Sequence, residues 1–255
     1  MHLINGLPYF DIKPHIDFEG LKSIEKDLHY GIVKCKDMVG EGCASTHNLY
    51  HHDTEVSLLD LTWPDQLKDP ANPNYEFYKK FNFDRRICMT FARYTEEATQ
   101  MGQILWLRVP KESGARQSIL DKGFADKCRD TGAYEHFGSL QDWISELKIF
   151  EQVGRINFFL HAPGEPGQLH HDSFTGFPDN FILINLNPSR KEVYLLDDNN
   201  NKIIIDTEVS TFDTRNWHGT INGNFYGWTL RIEGIFDRAW AESAGVWEHF
   251  KRPEL

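Results

Sequence analysis

The sequence predicts an α+β protein whose mostly β core closes as a jelly roll. From about residue 153 almost to the end, short β-rich segments alternate with turn-forming residues at regular spacing. Asp-Asn and Asn-Gly pairs at 197–201 and 222–224 are typical of hairpins. Upstream, residues 115–150 carry apolar side chains at helical spacing. Short, regularly spaced strands indicate a sandwich or a barrel-like jelly roll, with the helices packed around it.

The individual elements follow from these patterns in chain order. Residues 1 to about 85 mix short apolar runs with turn formers, and strands are predicted at 86–91 and 103–108. The helical region 115–150 has one apolar face, formed by Tyr134, Phe137, Leu140, Trp143, Ile144 and Leu147. Strands are then predicted at 155–161, 168–173, 181–187, 192–196, 202–205, 208–213 and 225–236. A closing helix places Trp240, Ala244, Trp247 and Phe250 on one face.

No linker-like segment divides the chain, so we expect a single domain over residues 1–255. Residues 1–150 form a mixed helical and strand support region in this interpretation. Residues 151–237 form the core, a double-stranded β-helix, and residues 238–255 form the C-terminal helix.

Composition excludes several classes of function. The net charge of −11 disfavours generic binding to nucleic acid, because a polyanion would meet a repulsive field. Four cysteines without CxxC spacing indicate reduced thiols rather than a zinc cluster or a disulfide framework. The N-terminus does not resemble a signal peptide, and no apolar run is long enough for a membrane span. We therefore expect a cytoplasmic protein with no membrane partner, and the sequence leaves its oligomeric state open.

The most informative motif is His170-His171-Asp172, followed by His218. Residues two apart in a strand lie on the same face, so His170 and Asp172 point the same way. With His218 from a later strand they would form a triad of two imidazoles and one carboxylate. Such a facial triad leaves coordination positions open, and it is the ligand set of non-haem iron(II) oxygenases.

A His-x-Asp pair also occurs by chance, and the chain contains a second copy at His51-His52-Asp53. Taken alone, such a pair is more often a surface turn or a hydrogen-bonded pair than a ligand set. The copy at 51–53 lies in irregular sequence. The pair at 170–172 starts the strand-rich half after a Pro/Gly loop, which favours 170, 172 and 218 as the ligands.

Arg231 lies in a predicted strand, where alternation places it on one face with Thr229 and Glu233. A buried guanidinium requires an anion, because an unpaired buried charge is costly. The anion is either a bound carboxylate, with the Thr229 hydroxyl as a second donor, or a structural partner such as Glu233 itself.

Residues 155–237 resemble the iron(II)/2-oxoglutarate-dependent dioxygenase superfamily. The resemblance rests on His170-x-Asp172, His218 and Arg231 in order. Within the superfamily, Arg155-Ile156-Asn157, Asn187-Pro188 and Phe212-Asp213 are most similar to the aspartyl/asparaginyl β-hydroxylase and proline hydroxylase branch. The chain departs from that branch at two places. The strand 181–184 lacks an early Arg or His, and Arg231 follows His218 at a longer interval than is usual.

The resemblance implies Fe(II) held by His170, Asp172 and His218, with 2-oxoglutarate as cosubstrate and dioxygen as oxidant. Arg231 and Thr229 would bind the distal carboxylate of the cosubstrate. The implied reaction hydroxylates an unactivated C–H bond of a small molecule, an amino acid or an amino-acid-like compound, and releases succinate and CO2. Candidate pocket residues are Arg155, Asn157, Tyr194, Trp217 and Trp228, although packing within the fold explains each of them equally well.

Two other functions remain open from the sequence alone. One is hydroxylation of a peptidyl side chain. The other is a redox-inert cupin-type metal protein, an isomerase or a binder of sugars or other small molecules, which has no need of Arg231 for a dicarboxylate. A non-catalytic scaffold is disfavoured because the triad is complete. Asp172 argues against a halogenase, since the carboxylate fills the position where chloride would bind.

Overall fold

The computed structural model describes residues 1–35, 103–110, 128–161, 166–170, 178–188, 191–223 and 227–251. The strands within these ranges form two antiparallel sheets. They are β1 (Tyr9–Asp11), β2 (Gln103–Pro110), β3 (Cys128–Asp130), β4 (Phe150–His161), β5 (Pro166–His170), β6 (Phe181–Ile184), β7 (Lys191–Leu196), β8 (Lys202–Ile204), β9 (Val209–Phe212), β10 (His218–Asn222) and β11 (Gly227–Phe236). The helices are α1 (Phe18–Ser23), α2 (Glu25–Lys34), α3 (Gly138–Ser145), α4 (Arg238–Ser243) and α5 (Trp247–Phe250).

The strand order is that of a double-stranded β-helix. The larger sheet runs β1-β9-β6-β11-β4-β2-β3, and the smaller sheet runs β5-β10-β7-β8. From β4 onward the chain passes back and forth between the two sheets. A buried apolar cluster joins them from within, and it consists of Phe181, Leu183, Val193, Leu195, Ile205 and Phe212. The predicted fold class, a mostly β jelly roll with helices around it, is confirmed.

The larger sheet has two faces with different roles. On β11, Leu230 and Ile232 belong to the main hydrophobic core, which also contains residues of α1, α2 and α3. Thr229, Arg231 and Glu233 alternate with them and therefore lie on the opposite, inner face. The inner face is the one that the smaller sheet covers, so these polar side chains belong to the interior of the jelly roll.

Helix α1 is fixed by a cap and by a contact with α3. Its N-cap is Asp17, whose side chain accepts a hydrogen bond of 2.9 Å from the backbone of Gly20. The Trp143 indole donates to the Asp17 carbonyl at 2.9 Å. This hydrogen bond joins the start of α1 to α3.

The prediction of one helical region over 115–150 was wrong in extent. Residues 111–127 lie outside the described ranges, and the rest contains β3, a 3₁₀ turn at Gly132–His136, α3 and the start of β4. Glycines at 132 and 138 and the extended Thr131 interrupt the helix. The apolar face itself was predicted correctly, since all six of its residues are buried.

The C-terminal helix is also divided in two. Gly245, with φ of +74°, separates α4 from α5. His218 was expected on a strand, but the bounds of β10 were not predicted, and the predicted strand at 86–91 falls outside the described residues. Across the described ranges, none of the helices has the length and apolar character that a membrane crossing requires.

Candidate active site

His170 and His218 occupy opposite positions on neighbouring strands of the smaller sheet. His170 ends β5, His218 begins β10, and the two are partners in the antiparallel register. Positions that lie directly opposite in an antiparallel pair share a face of the sheet and are close neighbours. The fold therefore brings together two of the three predicted metal-ligand positions.

The side chain of His218 is buried, and one of its ring nitrogens is fixed by a backbone carbonyl. It is 7% exposed, and its ring packs against Phe212 of the larger sheet, with centroids 5.0 Å apart. Its Nδ1 lies 2.8 Å from the carbonyl oxygen of Asn216. Because a carbonyl only accepts, Nδ1 carries the proton, and in the neutral ring the lone pair is on Nε2. Ligating histidines are typically fixed in this way by their other ring nitrogen.

Asp172 and the side chain of His170 fall outside the described part of the chain. Among the side chains that are described, no group of three His, Cys, Asp or Glu residues is placed to hold a metal ion. Of the three predicted ligands, only His218 has a described side chain. The ligand assignment of His170 and Asp172 therefore stays a prediction, as does the second His-x-Asp copy at 51–53, which also lies outside the described residues.

The turn before β10, which contains the Asn216 carbonyl bonded to His218, is itself held by two sets of contacts. Asn216 exchanges two hydrogen bonds with the backbone of His2, at 2.7 and 2.8 Å. Asp213 is fully buried and accepts from the backbone N and the Nε of Arg215, both at 2.9 Å, and lies 2.9 Å from Nε2 of His249. Burial alone would raise the pKa of Asp213, but the bonds from Arg215 and His249 outweigh it and hold the pKa well below its usual range.

Replacing Asp213 by Asn is expected to lower the free energy of unfolding by roughly 3 kcal/mol at pH 7, because Arg215 loses its buried anion. The folded-state pKa is depressed, so this stabilisation is present above the unfolded pKa of about 3.9 and is lost as the pH falls below it. Urea denaturation between pH 7 and pH 3 measures the difference between the variant and the wild type. That difference should shrink in acid, and a deficit that grows in acid would contradict the assignment. The exposed Asp206→Asn is the control, expected to change stability by less than about 0.5 kcal/mol.

Arg231 is engaged by carboxylates of the chain itself. Its guanidinium lies 3.1 Å from Asp179 and 2.7 Å from Glu233, above the ring of Phe181 at 4.4 Å. Glu233 also accepts from the Nε of Arg155. Two cations and two carboxylates thus alternate along the inner face. This is the structural ion pair that the sequence offered as the alternative to a carboxylate-binding role.

A third cation, the buried Lys191, reaches across the interior of the jelly roll. Its side chain is 2% exposed, and its Nζ donates to the hydroxyl of Thr229 at 3.1 Å. Lys191 begins β7 in the smaller sheet, whereas Thr229 lies on β11 in the larger sheet. Asn185 Nδ2 donates to the Lys191 carbonyl at 2.7 Å and fixes its backbone. An ammonium and a hydroxyl therefore meet between the sheets, a combination that suits a carboxylate.

The other predicted pocket residues divide between the two faces of their sheets. Asn157 is buried on the inner face of β4, opposite Arg231 in the register. Tyr194 alternates with Val193 and Leu195 of the inner cluster, and Lys202 lies 4.4 Å above its ring, so it faces away from the interior. Trp217 is 48% exposed.

Trp228 belongs to the main core on the outer face of the larger sheet. Its ring packs against Phe158 and His29, with the His29 imidazole of α2 as the acceptor of its indole N–H at 3.4 Å. For Trp228, packing within the fold is therefore the correct explanation, and a place in the pocket is not.

Sequence reasoning missed Lys191 and Asp179. The position of Lys191 could have been predicted from alternation. It lies two residues before Val193 and four before Leu195 in one strand, and so lies on the same buried face. The predicted strand began one residue too late, at 192, and left the lysine in the preceding turn. Asp179 precedes β6 in a connection, where period-two reasoning does not apply.

No family model matches the chain, and no curated relative matches it. Several solved structures do. A prolyl hydroxylase from Trichoplax adhaerens, in complex with a hypoxia inducible factor oxygen degradation domain peptide fragment, is 14% identical over 92% of this chain and 97% of its own, with a TM-score of 0.35. A Pseudomonas putida prolyl-4-hydroxylase is 16% identical over 60% and 81%, with a TM-score of 0.32. An oxidoreductase of the 2OG-Fe(II) oxygenase family from Burkholderia pseudomallei is 10% identical over 51% and 64%, with a TM-score of 0.31. These are distant similarities, and the jelly-roll assignment rests on the strand order of this chain.

Proposed function

We propose that the protein is an Fe(II)/2-oxoglutarate-dependent oxygenase that hydroxylates an unactivated C–H bond of a small molecule. The observation that carries the proposal is the pairing of His170 with His218 on the smaller sheet, together with a buried Lys191–Thr229 pair that crosses the same interior to the larger sheet. A metal-ligand position and a carboxylate-binding pair in one interior are what a metal-bound 2-oxo acid requires.

The residues present fit the metal. The Nδ1 of His218 is hydrogen-bonded to a carbonyl oxygen, so in the neutral ring Nε2 carries the lone pair that would bind the metal. His170 lies opposite it in the register, and Asp172 would complete the set from the residues just beyond β5. Two imidazoles and one carboxylate with open positions select non-haem Fe(II).

The residues present also fit the cosubstrate. Lys191 supplies a buried positive charge and Thr229 a hydroxyl for the distal carboxylate of 2-oxoglutarate. Arg231, which the sequence analysis assigned to this role, already faces Asp179 and Glu233, and we assign it to holding the inner face in place. Thr229 keeps its predicted role in this proposal.

Fe(II) held by His170, Asp172 and His218 would supply the oxidation, in which dioxygen would give one oxygen atom to the substrate as hydroxyl and the other to succinate, with 2-oxoglutarate losing CO2. The chain's own contribution is positioning and exclusion of water. His218 is held by the Asn216 carbonyl, and Phe212 covers one side of its ring. Lys191 and Thr229 fix the far end of the cosubstrate.

We propose an amino acid or amino-acid-like compound as the substrate, on the resemblance of residues 155–237 to the aspartyl/asparaginyl β-hydroxylase and proline hydroxylase branch. A peptidyl side chain is the second candidate. A redox-inert cupin-type metal protein is the alternative of a different class, and it would not require a dicarboxylate at the Lys191–Thr229 pair.

Anaerobic visible absorption tests the proposal. Purified full-length protein is titrated with Fe(II) and then with 2-oxoglutarate. We expect a weak charge-transfer band that requires both additions, and succinate release that depends on an added amino acid once air is admitted. Folded protein that binds metal but shows no band would overturn the oxygenase assignment in favour of a redox-inert metal protein.

A further inference from the structure

We propose that Asn157 and Trp106 form a pair of hydrogen-bond donors that receives a carbonyl or carboxylate oxygen of the primary substrate. The inference rests on the proposed function and names a substrate contact within that site. Trp106 lies in β2 and Asn157 in β4, and they are partners in the antiparallel register of the larger sheet.

Both donors are buried and unsatisfied. Asn157 is 2% exposed, and its Nδ2 has no hydrogen-bond partner among the described residues. The Nε1 of Trp106 is also buried, and it too has no hydrogen-bond partner among the described residues. A buried N–H without an acceptor costs free energy, so such groups in a native fold call for an explanation. Two of them at paired positions indicate a shared acceptor that a ligand supplies.

The two donors lie on the inner face. Leu105 and Leu107, which flank Trp106, belong to the main core on the outer face, and so do Ile156 and Phe158, which flank Asn157. Alternation therefore places Trp106 and Asn157 on the face shared by Thr229 and Arg231. Asn157 is also the register partner of Arg231, so the donor pair adjoins the charged row of the interior.

The position separates this pair from the cosubstrate site. Thr229 is the register partner of Phe159, two residues beyond Asn157 and so roughly 7 Å along β4. The cation that suits the cosubstrate carboxylate, Lys191, lies at Thr229. Asn157 and Trp106 offer neutral N–H groups, which suit an sp² oxygen as their shared acceptor. A hydroxylase must hold one C–H bond in place, and a fixed hydrogen bond to the substrate does this.

The indole N–H of Trp106 allows a direct test by ¹H–¹⁵N NMR on the full-length protein. The Trp106→Phe variant assigns its resonance, and the half-exposed Trp217 serves as the comparator. The probes are acetate, N-methylacetamide and 2-oxoglutarate. We expect a saturable downfield shift of the Trp106 signal with acetate or with N-methylacetamide, and the responding probe distinguishes a carboxylate from an amide carbonyl. No shift with either, or a shift with 2-oxoglutarate alone, would overturn the inference.

Thermal stability gives an independent readout. Trp106→Phe and Asn157→Leu remove the donors and keep most of the volume, so without ligand we expect each to raise the melting temperature by roughly 2–4 °C. A fall in both variants would mean that the donors serve the fold, and it would overturn the assignment. The Fe(II)/2-oxoglutarate band is recorded on the same samples. A normal band with a silent indole signal refutes only this inference, whereas a missing band refutes the proposed function.

Discussion

Replacement of Lys191 by Met should weaken binding of 2-oxoglutarate by roughly 10- to 150-fold, the equivalent of 1.5–3 kcal/mol for a hydrogen bond to a charged group. Met keeps most of the volume of the buried lysine stem but removes the ammonium that faces Thr229. Because Met is close to Lys in size and shape, the packing between the sheets should be kept and the protein should fold. Isothermal titration of the Fe(II)-loaded protein under anaerobic conditions measures the dissociation constant.

Two control variants distinguish Lys191 from Arg231. Thr229→Val removes only the hydroxyl, and we expect a smaller loss of affinity, about 0.5–1.5 kcal/mol. Arg231→Lys should lower the free energy of unfolding while leaving 2-oxoglutarate affinity near the wild-type value, since an ammonium does not reproduce the contacts with Asp179 and Glu233. If Arg231→Lys abolishes binding and Lys191→Met does not, the sequence-based assignment of Arg231 is the correct one.

The second large effect concerns His218. Its replacement by Ala should reduce Fe(II) affinity by more than about 100-fold, because even changes to groups that only orient a ligand cost 10- to 100-fold. Succinate release and the charge-transfer band should disappear together, as measured by metal titration and absorption under anaerobic conditions. The fold should persist, since the ring leaves a cavity at one edge of the interior rather than in the main core.

His249→Gln is the matched control for that experiment. His249 is a partly buried histidine that contacts Asp213 in the turn before β10, yet it is no candidate ligand. We expect its replacement to lower stability and to leave the Fe(II) band intact. Retention of full Fe(II) affinity in His218→Ala would remove His218 from the metal site and with it the proposed triad.

The strand pattern of the C-terminal half was predictable because each strand has a clear local signal. Strands β4, β6 to β9 and β11 contain apolar runs bounded by Pro, Gly, Asn or Asp, and these turn-forming residues act over a few positions. Strand β5 has no apolar run, and it was predicted from the Pro/Gly loop before it. The bounds of β10 were not predicted, because His218-Gly219-Thr220 has no apolar run. Its identity is set by pairing with β5 and β7, which are distant in sequence.

The candidate site was predictable only for residues whose face follows from the alternation of side chains along a strand. Thr229 and Arg231 were placed correctly on the inner face by alternation alone. The sequence could not predict which of the two cations, Arg231 or Lys191, would bind a ligand. That choice depends on the side chains that each cation contacts in the fold. Asp179 reaches Arg231 from a connection 52 residues away, and Lys191 reaches Thr229 across 38 residues. No local pattern encodes such contacts, since loop closure and sheet packing decide them.

The Lys191–Thr229 hydrogen bond has a consequence for how the two sheets hold together. It joins residues of different sheets, so a dicarboxylate seated on both would act as a non-covalent cross-link between them. By mass action, a ligand at 100 times its dissociation constant adds about 2.7 kcal/mol to the free energy of unfolding. Separation of β7 from β11 would then require the ligand to dissociate. Cosubstrate occupancy would thereby stabilise the jelly roll against unfolding as well as serve its chemistry.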